Sequence, residues 1–494
     1  FDFHPMLVVD HLHEWSLGVW KATFAHIIRV LYAAVPSGEA VATLNARNAS
    51  EMKKLAGHNY DNLLIVSILI IQILIDANNI IPCIEGLLPE PFNSRLLTTL
   101  FRLSEWNAFA KLRMHTDTTL TLFDGSTTPS KGKFLNLLTY KFHALGDYSS
   151  TIRLFGTTDS YSTQTGELAH RLVKRLYSRT NKNNATKQMV RLERRDTRIR
   201  RAKQAAASPK SRATPVRFSD NDGSSYTGLD VHHYMSKLRK DPISLMRFVQ
   251  ENPHDPAKKR FIPKLKDHLL SRLVGRSFDG DEADYSEAQR DTVRIVRQQM
   301  FPVQTLRVNF TTYDMRRDQD TINPRSHPNV MVLSPETTAN AHPFWYARVL
   351  GIFHLEVIHI GAESRNGSAQ HMEFLWVRWY GAEPGYRSGF QAARLPKIGF
   401  VPDIDEYAFG FLDPSLVLRG CHIVPAFDAG RTTDLLTIHP GEATAARPVG
   451  DTDDWVNFYV IMYVQVLLSF KKMMLMPHAD GSIEICSCAI WATG

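Results

Sequence analysis

Cysteine is scarce in this sequence: the 494 residues contain only four, at positions 83, 421, 486 and 488. Four scattered cysteines do not provide the disulfide framework of a small secreted protein, so we expect an intracellular, reducing compartment. Cys486 and Cys488 lack a second pair at zinc-finger spacing, so no metal site is predicted there.

Long apolar runs are lacking as well. The run over 63–75 has 13 residues, fewer than the roughly 20 that a membrane helix needs. We therefore expect a buried helix or a foreign insertion there, and no membrane partner. No charged segment or cleavage site precedes the first strand-like stretch, so no signal peptide is expected. Because the sequence enters that stretch directly at Phe1, we expect further chain upstream.

Basic residues are concentrated in one segment. The net charge is +8, yet residues 171–203 hold 13 Lys or Arg against two acids, Glu193 and Asp196, which gives the segment +11 and leaves about −3 for the rest. A localised basic stripe is typical of proteins that bind nucleic acid. A solvated or partly disordered basic arm explains the composition equally well.

Hydropathy and composition divide the chain into five parts. Residues 14–125 have helical periodicity without an alternating strand pattern, and a later stretch rich in Ser, Pro, Gly and Asp indicates a linker. The predicted parts are a core domain at 1–205, a linker at 206–228, a helical segment at 229–300, a small β-barrel-like domain at 301–430 and an irregular tail at 431–494.

Short β-branched or alternating runs, separated by turns, indicate the β-barrel-like domain. The predicted strands lie at 305–312, 345–352, 355–360, 373–379 and 416–424. Within the tail, residues 451–472 have a helical pattern.

A candidate functional residue ends the first apolar run. Residues 6–9 predict a short buried strand, Asp10 ends it, and His13 follows as a helical pattern begins. Carboxylates at the carboxyl ends of strands are frequent ligands in α/β proteins. The alternative is that Asp10 caps the next helix, and the stretch alone favours that alternative.

A second acid begins another predicted helix. Glu167, His170, Arg171 and Lys174 have the spacing i, i+3, i+4 and i+7, so they share one polar face. Glu167 lies in the first helical turn, where the helix dipole alone favours an acid. The spacing by itself therefore leaves a functional role and a purely structural role open.

Several blocks along the first 200 residues resemble one family. Asp10-x-x-His13, followed by Leu17-Gly18 and Lys21, resembles the Asp-x-x-His, Leu-Gly, Lys block of the CACTA-like cut-and-paste transposases, and among them the fungal Plavaka-type elements. The later blocks that agree, in the same order, are Lys141-Phe-His143 with Tyr148, Ile152-x-x-Phe155-Gly156, Tyr161-x-Thr163-x-x-x-Glu167-x-x-His170, and Asn181-Lys-Asn with Gln188-Met189.

The resemblance implies a fold class and a chemistry. The fold would be α/β, a partial RNase H-like core with a large all-helical insertion at about 14–145, followed by the helical segment and the small β-barrel-like C-terminal domain. Enzymes of this DDE type use three acids to hold two Mg²⁺ or Mn²⁺ ions, which activate the nucleophile and stabilise the leaving oxygen during phosphoryl transfer on DNA. A nuclear location is implied, and a homodimer stays open.

Site roles follow from the same resemblance. Asp10 would be the second acid and Glu167 the third, both as metal ligands, although Asp147 and Asp159 compete with Glu167. His13 would orient Asp10 or contact a phosphate, and His170 would do the same for Glu167. The residues expected to contact the DNA backbone are Arg171, Lys174, Arg175, Arg179, Lys182, Arg194, Arg195, Arg198 and Arg201.

The first acid of the triad is expected upstream of Phe1. We therefore expect that this polypeptide alone does not cleave DNA. One alternative is a non-catalytic nucleic-acid or chromatin-binding protein that uses the basic helix at 171–203 and the C-terminal β domain. A further alternative is a decayed reading frame that does not fold stably.

Overall fold

The computed structural model describes most of the chain in separate stretches. They are residues 8–34, 80–126, 138–207, 231–280, 284–314, 316–336, 342–361, 364, 367–438, 443–447 and 450–461. By its internal packing the chain divides into two compact units, the first made of Phe1–Arg29 and Phe109–Tyr226, the second of Val30–Ala108 and Thr227–Gly494. The predicted domain at 1–205 is thus shared between the two units.

The described helices begin with a π-helical stretch, His11–Trp20, that runs directly into the first α-helix. The α-helices are α1 (Lys21–Ala34), α2 (Ile81–Ile84), α3 (Phe92–Ala110), α4 (Asp117–Ser126), α5 (Tyr140–His143), α6 (Tyr148–Phe155), α7 (Gln164–Tyr177), α8 (Ala185–Ala207), α9 (Leu245–Gln250), α10 (Phe261–Val274) and α11 (Glu287–Arg290).

Helices are the regular secondary structure found among the described residues of the first unit. Its core includes Phe109, Phe123 and Tyr148, whose rings follow one another at centroid distances of 5.9 and 6.3 Å. The predicted strand at 6–9 is not observed in its described part. Val8 and Val9 belong to no strand, and residues 6 and 7 lie outside the described residues. A strand needs a neighbour to pair with, and the described residues of this unit offer none. The RNase H-like core therefore remains a prediction.

The imidazole of His115 is largely enclosed within the first unit. Its ring stacks on Phe123 at 6.3 Å, and its Nε2 is buried without a hydrogen-bond partner among the described residues. Burial lowers the pKa of His115 to about 4, below the value of about 6.5 expected in the unfolded chain.

We therefore expect the helical unit to lose stability on acidification. Below pH ~6.5 the unfolded chain binds a proton that folded His115 refuses, so stability is complete above that pH and falls until about pH 4. After allowance for screening we expect a loss of about 1–2 kcal/mol. Helix unfolding followed by circular dichroism at pH 7.5 and 4.5 measures it. His115→Gln should remove this part of the pH dependence, exposed His143→Gln should retain it, and equal pH dependence in both variants would contradict the assignment.

The described strands lie in the second unit. They are β1 (His233–Met235), β2 (Ile243–Ser244), β3 (Val293–Ile295), β4 (Gln299–Val303), β5 (Leu306–Thr311), β6 (Arg317–Ile322), β7 (Asn329–Leu333), β8 (Phe344–His359), β9 (Gln370–Ala382), β10 (Lys397–Phe400), β11 (Phe409–Leu412), β12 (Val417–Gly420), β13 (His422–Pro425), β14 (Arg431–Thr432), β15 (Asp454–Trp455) and β16 (Phe458–Ile461).

The main sheet is antiparallel and open. Its path is β12-β7-β8-β9-β10-β16-β13, with β3 and β4 also paired to β8, β2 to β4, and β11 to β9. A three-stranded sheet β1-β5-β6 and a two-stranded sheet β14-β15 complete the unit. The predicted barrel is not observed, because among the described strands β12 and β13, at the two ends of the path, do not pair with each other. What the structure shows is a mixture of helices and large antiparallel sheets.

The long hairpin of β8 and β9 organises this sheet. Two strands were predicted at 345–352 and 355–360, but they form one strand, β8, with a register shift between Val349 and Gly351. On one face α10 packs against the sheet, where the ring of Phe261 lies 5.4 Å from Trp376 and 5.1 Å from Phe411. The other face is covered by apolar residues of the three-stranded sheet, among them Leu306 and Val308.

Two predicted boundaries differ from the structure. The region 229–300, predicted to be helical, also contains β1 to β4, because these short runs pair with later strands rather than continue a helix. In the tail, 454–461 was predicted to be helical but is extended, since β16 inserts between β10 and β13 and all four of its residues are buried. Residues 462–472 lie outside the described part. Among the described helices, none is long and apolar enough to cross a bilayer, and the run at 63–75 is not among the described residues.

Candidate functional site

Asp10 lies at the start of the π-helical stretch and is mostly buried, with 12% of its side chain exposed. Its Oδ1 accepts hydrogen bonds from the backbone N–H groups of Leu12 and Thr163, both at 3.3 Å. Its Oδ2 contacts Nδ1 of His13 and the hydroxyl of Thr163. Burial alone would raise the pKa of Asp10, but the hydrogen bonds from Thr163, His13 and Leu12 outweigh it and hold the pKa below its ordinary value.

Asp10 therefore does act as a helix N-cap, as the alternative from the sequence proposed, and it also contacts a residue far along the chain. Glu14 completes the cap by accepting a hydrogen bond from the backbone N–H of Asp10. In an α-helical capping box the reciprocating acid stands three residues after the cap, whereas here it stands four residues after it, in keeping with the wider π-helical turn. Burial raises the pKa of Glu14.

The imidazole of His13 lies between the two predicted acids. Its Nδ1 contacts Asp10, and its Nε2 is 4.0 Å from Oε1 of Glu167. His13 and Glu167 are about half exposed, at 45% and 47% of their side chains, whereas Asp10 is not. The structure thus brings Asp10, His13 and Glu167 together from distant parts of the sequence, at the N-terminal end of α7.

Thr163 and Lys141 support this site and were not predicted as site residues. Thr163 precedes α7 and supplies two of the four hydrogen bonds to Asp10. Lys141, from α5, donates from Nζ to the carbonyl of His13 at 3.0 Å. Gly18 permits this approach, since a Cβ there would lie 2.5 Å from Cδ of Lys141 and 2.8 Å from the carbonyl oxygen of His13. The sequence signal for both residues was their place in the family-like blocks.

The other predicted site residues do not join this cluster. His170 is exposed and makes no hydrogen bond or ion pair within the described residues. The competing acids have local structural contacts, since the carbonyl of Asp147 accepts from Thr151 at 2.7 Å and the carboxylate of Asp159 accepts from Thr157 at 2.6 Å. Of the three candidate acids, Glu167 is the one that the structure places beside His13.

The arrangement does not fit a bound divalent metal. In the described stretches, no three His, Cys, Asp or Glu side chains are placed to hold a metal ion. Mg²⁺ requires carboxylate oxygens that are free to coordinate, whereas both oxygens of Asp10 already accept hydrogen bonds from protein donors. Asp10 and Glu167 each lie beside His13, but the Mg²⁺ or Mn²⁺ that the resemblance implies has no ready coordination set there.

The basic segment forms a helical hairpin of α7 and α8. Arg179 bridges the two helices through Asp196, with contacts of 2.6 and 3.3 Å. The loop is closed by Gln188, whose Nε2 donates to the carbonyl of Asn183 at 2.6 Å and whose Oε1 accepts from the backbone of Asn181 at 3.1 Å. The polar Asn181-Lys-Asn and Gln188 block thus stabilises the turn. Arg179 therefore also has a structural role in this hairpin, and its predicted contact with DNA stays a prediction.

One side of α8 carries a continuous row of exposed cations, here named the basic stripe. Its members have the spacing i, i+4, i+7, i+11 and i+14, which places them along one side of a helix. They are Lys187, Arg191, Arg194, Arg198 and Arg201. Of the other predicted DNA contacts, Lys174, Arg175, Lys182 and Arg195 are also exposed, whereas the side chain of Arg171 lies outside what the structure describes.

Comparison with protein-family models, curated proteins and solved structures gives no match for this chain. A functional assignment therefore rests on the geometry of the acid cluster and of the basic hairpin.

Proposed function

We propose that this chain is part of a transposon-derived DDE-type transposase that binds the DNA backbone through the α7–α8 hairpin and does not cleave DNA on its own. One observation carries the proposal: Asp10 and Glu167 meet around His13 at the start of the same hairpin that presents the basic stripe. In such an enzyme the DNA-binding surface and the acids must face the same substrate.

The basic stripe suits a phosphate backbone. From Lys187 to Arg201 it extends roughly 21 Å at 1.5 Å per residue, comparable to about six base-pair steps of a duplex. Within α8, the acids Glu193 and Asp196 stand outside the i, i+4, i+7, i+11, i+14 series of the stripe, and Asp196 is paired with Arg179. Arginine donors bind phosphate oxygens in a bidentate manner, independent of base sequence.

The lack of cleavage follows from the hydrogen bonds of Asp10. A carboxylate that already accepts four hydrogen bonds is held in place but has no oxygen available for a metal ion. In this state the acid cluster fixes the first turn of the π-helical stretch against the start of α7. It orients the hairpin without taking part in chemistry.

The proposal is tested by measuring the affinity of the purified chain for two unrelated DNA duplexes, by fluorescence anisotropy in EDTA over a range of NaCl concentrations. We expect a similar Kd for both duplexes and a steep loss of affinity with salt, since the binding of several phosphates releases counterions. With Mg²⁺, supercoiled plasmid should remain intact. Affinity that does not change with salt would contradict the proposal.

A non-catalytic nucleic-acid or chromatin-binding protein is the second candidate, favoured by a groove in the second unit. The groove has a volume of about 1210 Å³ and aromatic walls that include Trp345, Trp379 and Tyr386. This candidate assigns nucleic-acid binding to the β-rich unit as well, so the loss of basic residues there should also weaken binding. The transposase proposal expects no such loss.

A further inference from the structure

We infer that His13 closes the acid pair to divalent metal ions, because its imidazole takes the position between the carboxylates of Asp10 and Glu167 that a metal would need. The inference rests on the proposed function, which assigns these two acids to one site. The contacts that exclude the expected metal thereby control the access of metal to that site.

The two ring nitrogens of His13 face different acids. One nitrogen, Nδ1, contacts Oδ2 of Asp10, and the other, Nε2, faces Oε1 of Glu167 at 4.0 Å. The ring is therefore directed at both acids at once. The hydroxyl of Thr163 also reaches Nδ1 at 3.1 Å, so the same few atoms fill the space around Oδ2.

The backbone of His13 is held by hydrogen bonds, whereas its side chain is exposed. The carbonyl of His13 accepts from Lys141 at 3.0 Å, and its N–H donates to the carbonyl of Asp10 at 3.1 Å. These bonds do not involve the ring, whose side chain is 45% exposed. A change of rotamer therefore moves the imidazole into solvent while the π-helical stretch stays in place.

Rotation of the His13 ring into solvent leaves two carboxylates with no side chain between them. Oδ2 of Asp10 regains a free lone pair, and Glu167, at 47% exposure, has room to approach. Two carboxylates without a group between them repel each other, and a divalent cation relieves that repulsion. The closed state is therefore stabilised by His13, and removal of the ring favours metal.

The test is the affinity of the full chain for Mn²⁺ without DNA, measured from the electron paramagnetic resonance signal of the free ion. We expect His13→Ala to bind Mn²⁺ at least about 10-fold more tightly than the native chain, and Asp10→Asn in the same background to abolish the gain. The control His170→Ala, on the exposed side of α7, should leave the affinity unchanged. Equal or weaker affinity in His13→Ala would overturn the inference and make His13 a bystander or a ligand.

A second variant keeps the test decisive if His13→Ala does not fold. His13→Ser keeps a polar side chain but is too short to stand between the two carboxylates, so it should also bind Mn²⁺ more tightly than the native chain, and an unchanged affinity would overturn the inference. DNA binding by the native chain in EDTA rests on the basic stripe and involves no metal ion. Absence of that binding in the native chain would refute the proposed function, whereas an unaltered Mn²⁺ affinity in the His13 variants would refute only the closing role of His13.

Discussion

Replacing Asp454 with asparagine is expected to lower the free energy of unfolding of the second unit by about 3–5 kcal/mol. Asp454 lies between two buried guanidinium groups, with Nη1 and Nη2 of Arg378 at 3.1 and 2.9 Å and Nη2 of Arg447 at 3.0 Å. The three side chains are 5%, 0% and 5% exposed. Asparagine keeps the shape but leaves two buried cations without a counter-charge.

The surroundings of Arg378 prevent its side chain from rearranging in Asp454→Asn, so the lost free energy of unfolding is not recovered. Its guanidinium lies 3.8 Å from the ring centroid of Phe400 and donates to the carbonyl of Leu435, so the group is enclosed by the sheet and cannot reach water. Although burial opposes it, pairing with both arginines holds the pKa of Asp454 below its ordinary value. The stabilisation is thus present above the unfolded pKa near 3.9 and is lost as the pH falls through the lower, folded value.

Urea unfolding followed by tryptophan fluorescence measures this effect, since the second unit contains Trp345, Trp376 and Trp379. The matched control is Asp451→Asn, because Asp451 is half exposed and lies 4.0 Å from Arg431. We expect that control to change the free energy by less than about 0.5 kcal/mol. A loss below about 1 kcal/mol in Asp454→Asn would show that the pair is not a buried ionic centre.

The largest functional effect is expected from neutralising the basic stripe. When its five members are changed to glutamine, which retains helix propensity, the affinity for duplex DNA at moderate salt should fall about 100-fold. The physical reason is the loss of counterion release from up to five phosphates, at about one contact each. The loss should be the same for unrelated sequences, because backbone contacts carry no base information.

The matched control removes the same charge from the second unit. Five exposed basic residues of that unit are changed to glutamine together, namely Lys240, Lys259, Arg294, Arg325 and Arg387. We expect this variant to bind DNA within about twofold of the native chain. A loss equal to that of the stripe variant would show that only net charge matters, and would favour the candidate in which the β-rich unit binds nucleic acid.

Much of the local structure could be predicted from the sequence. The runs around Phe374 and Trp376 are β-branched and aromatic, and they form β9 close to its predicted place. The helical character of the basic region was also predicted, because its periodicity is local, but the single basic helix expected at 171–203 is two helices, α7 and α8, in the structure. Asp10 was recognised as either a cap or a ligand, and the structure shows the cap, with His13 lying between Asp10 and Glu167.

What could not be predicted depends on contacts between distant residues. The strand predicted to end at Ile352 does not end there, since pairing with β9 carries β8 on to His359, with a register shift between Val349 and Gly351. Thr163 and Lys141 reveal their contacts with Asp10 and His13 only in the folded chain. Nor did spacing indicate that Asp454 joins Arg378 and Arg447, since these residues are scattered over two strands and a loop.

The slope of log Kd against log NaCl concentration, for the native chain and the stripe variant, tests the central claim most directly. If the hairpin binds the DNA backbone through the basic stripe, the native slope should be steep and the variant's slope shallower by about four, at roughly 0.9 for each lost phosphate contact. Equal slopes for the two proteins would contradict the account, because the stripe would then contact no phosphate.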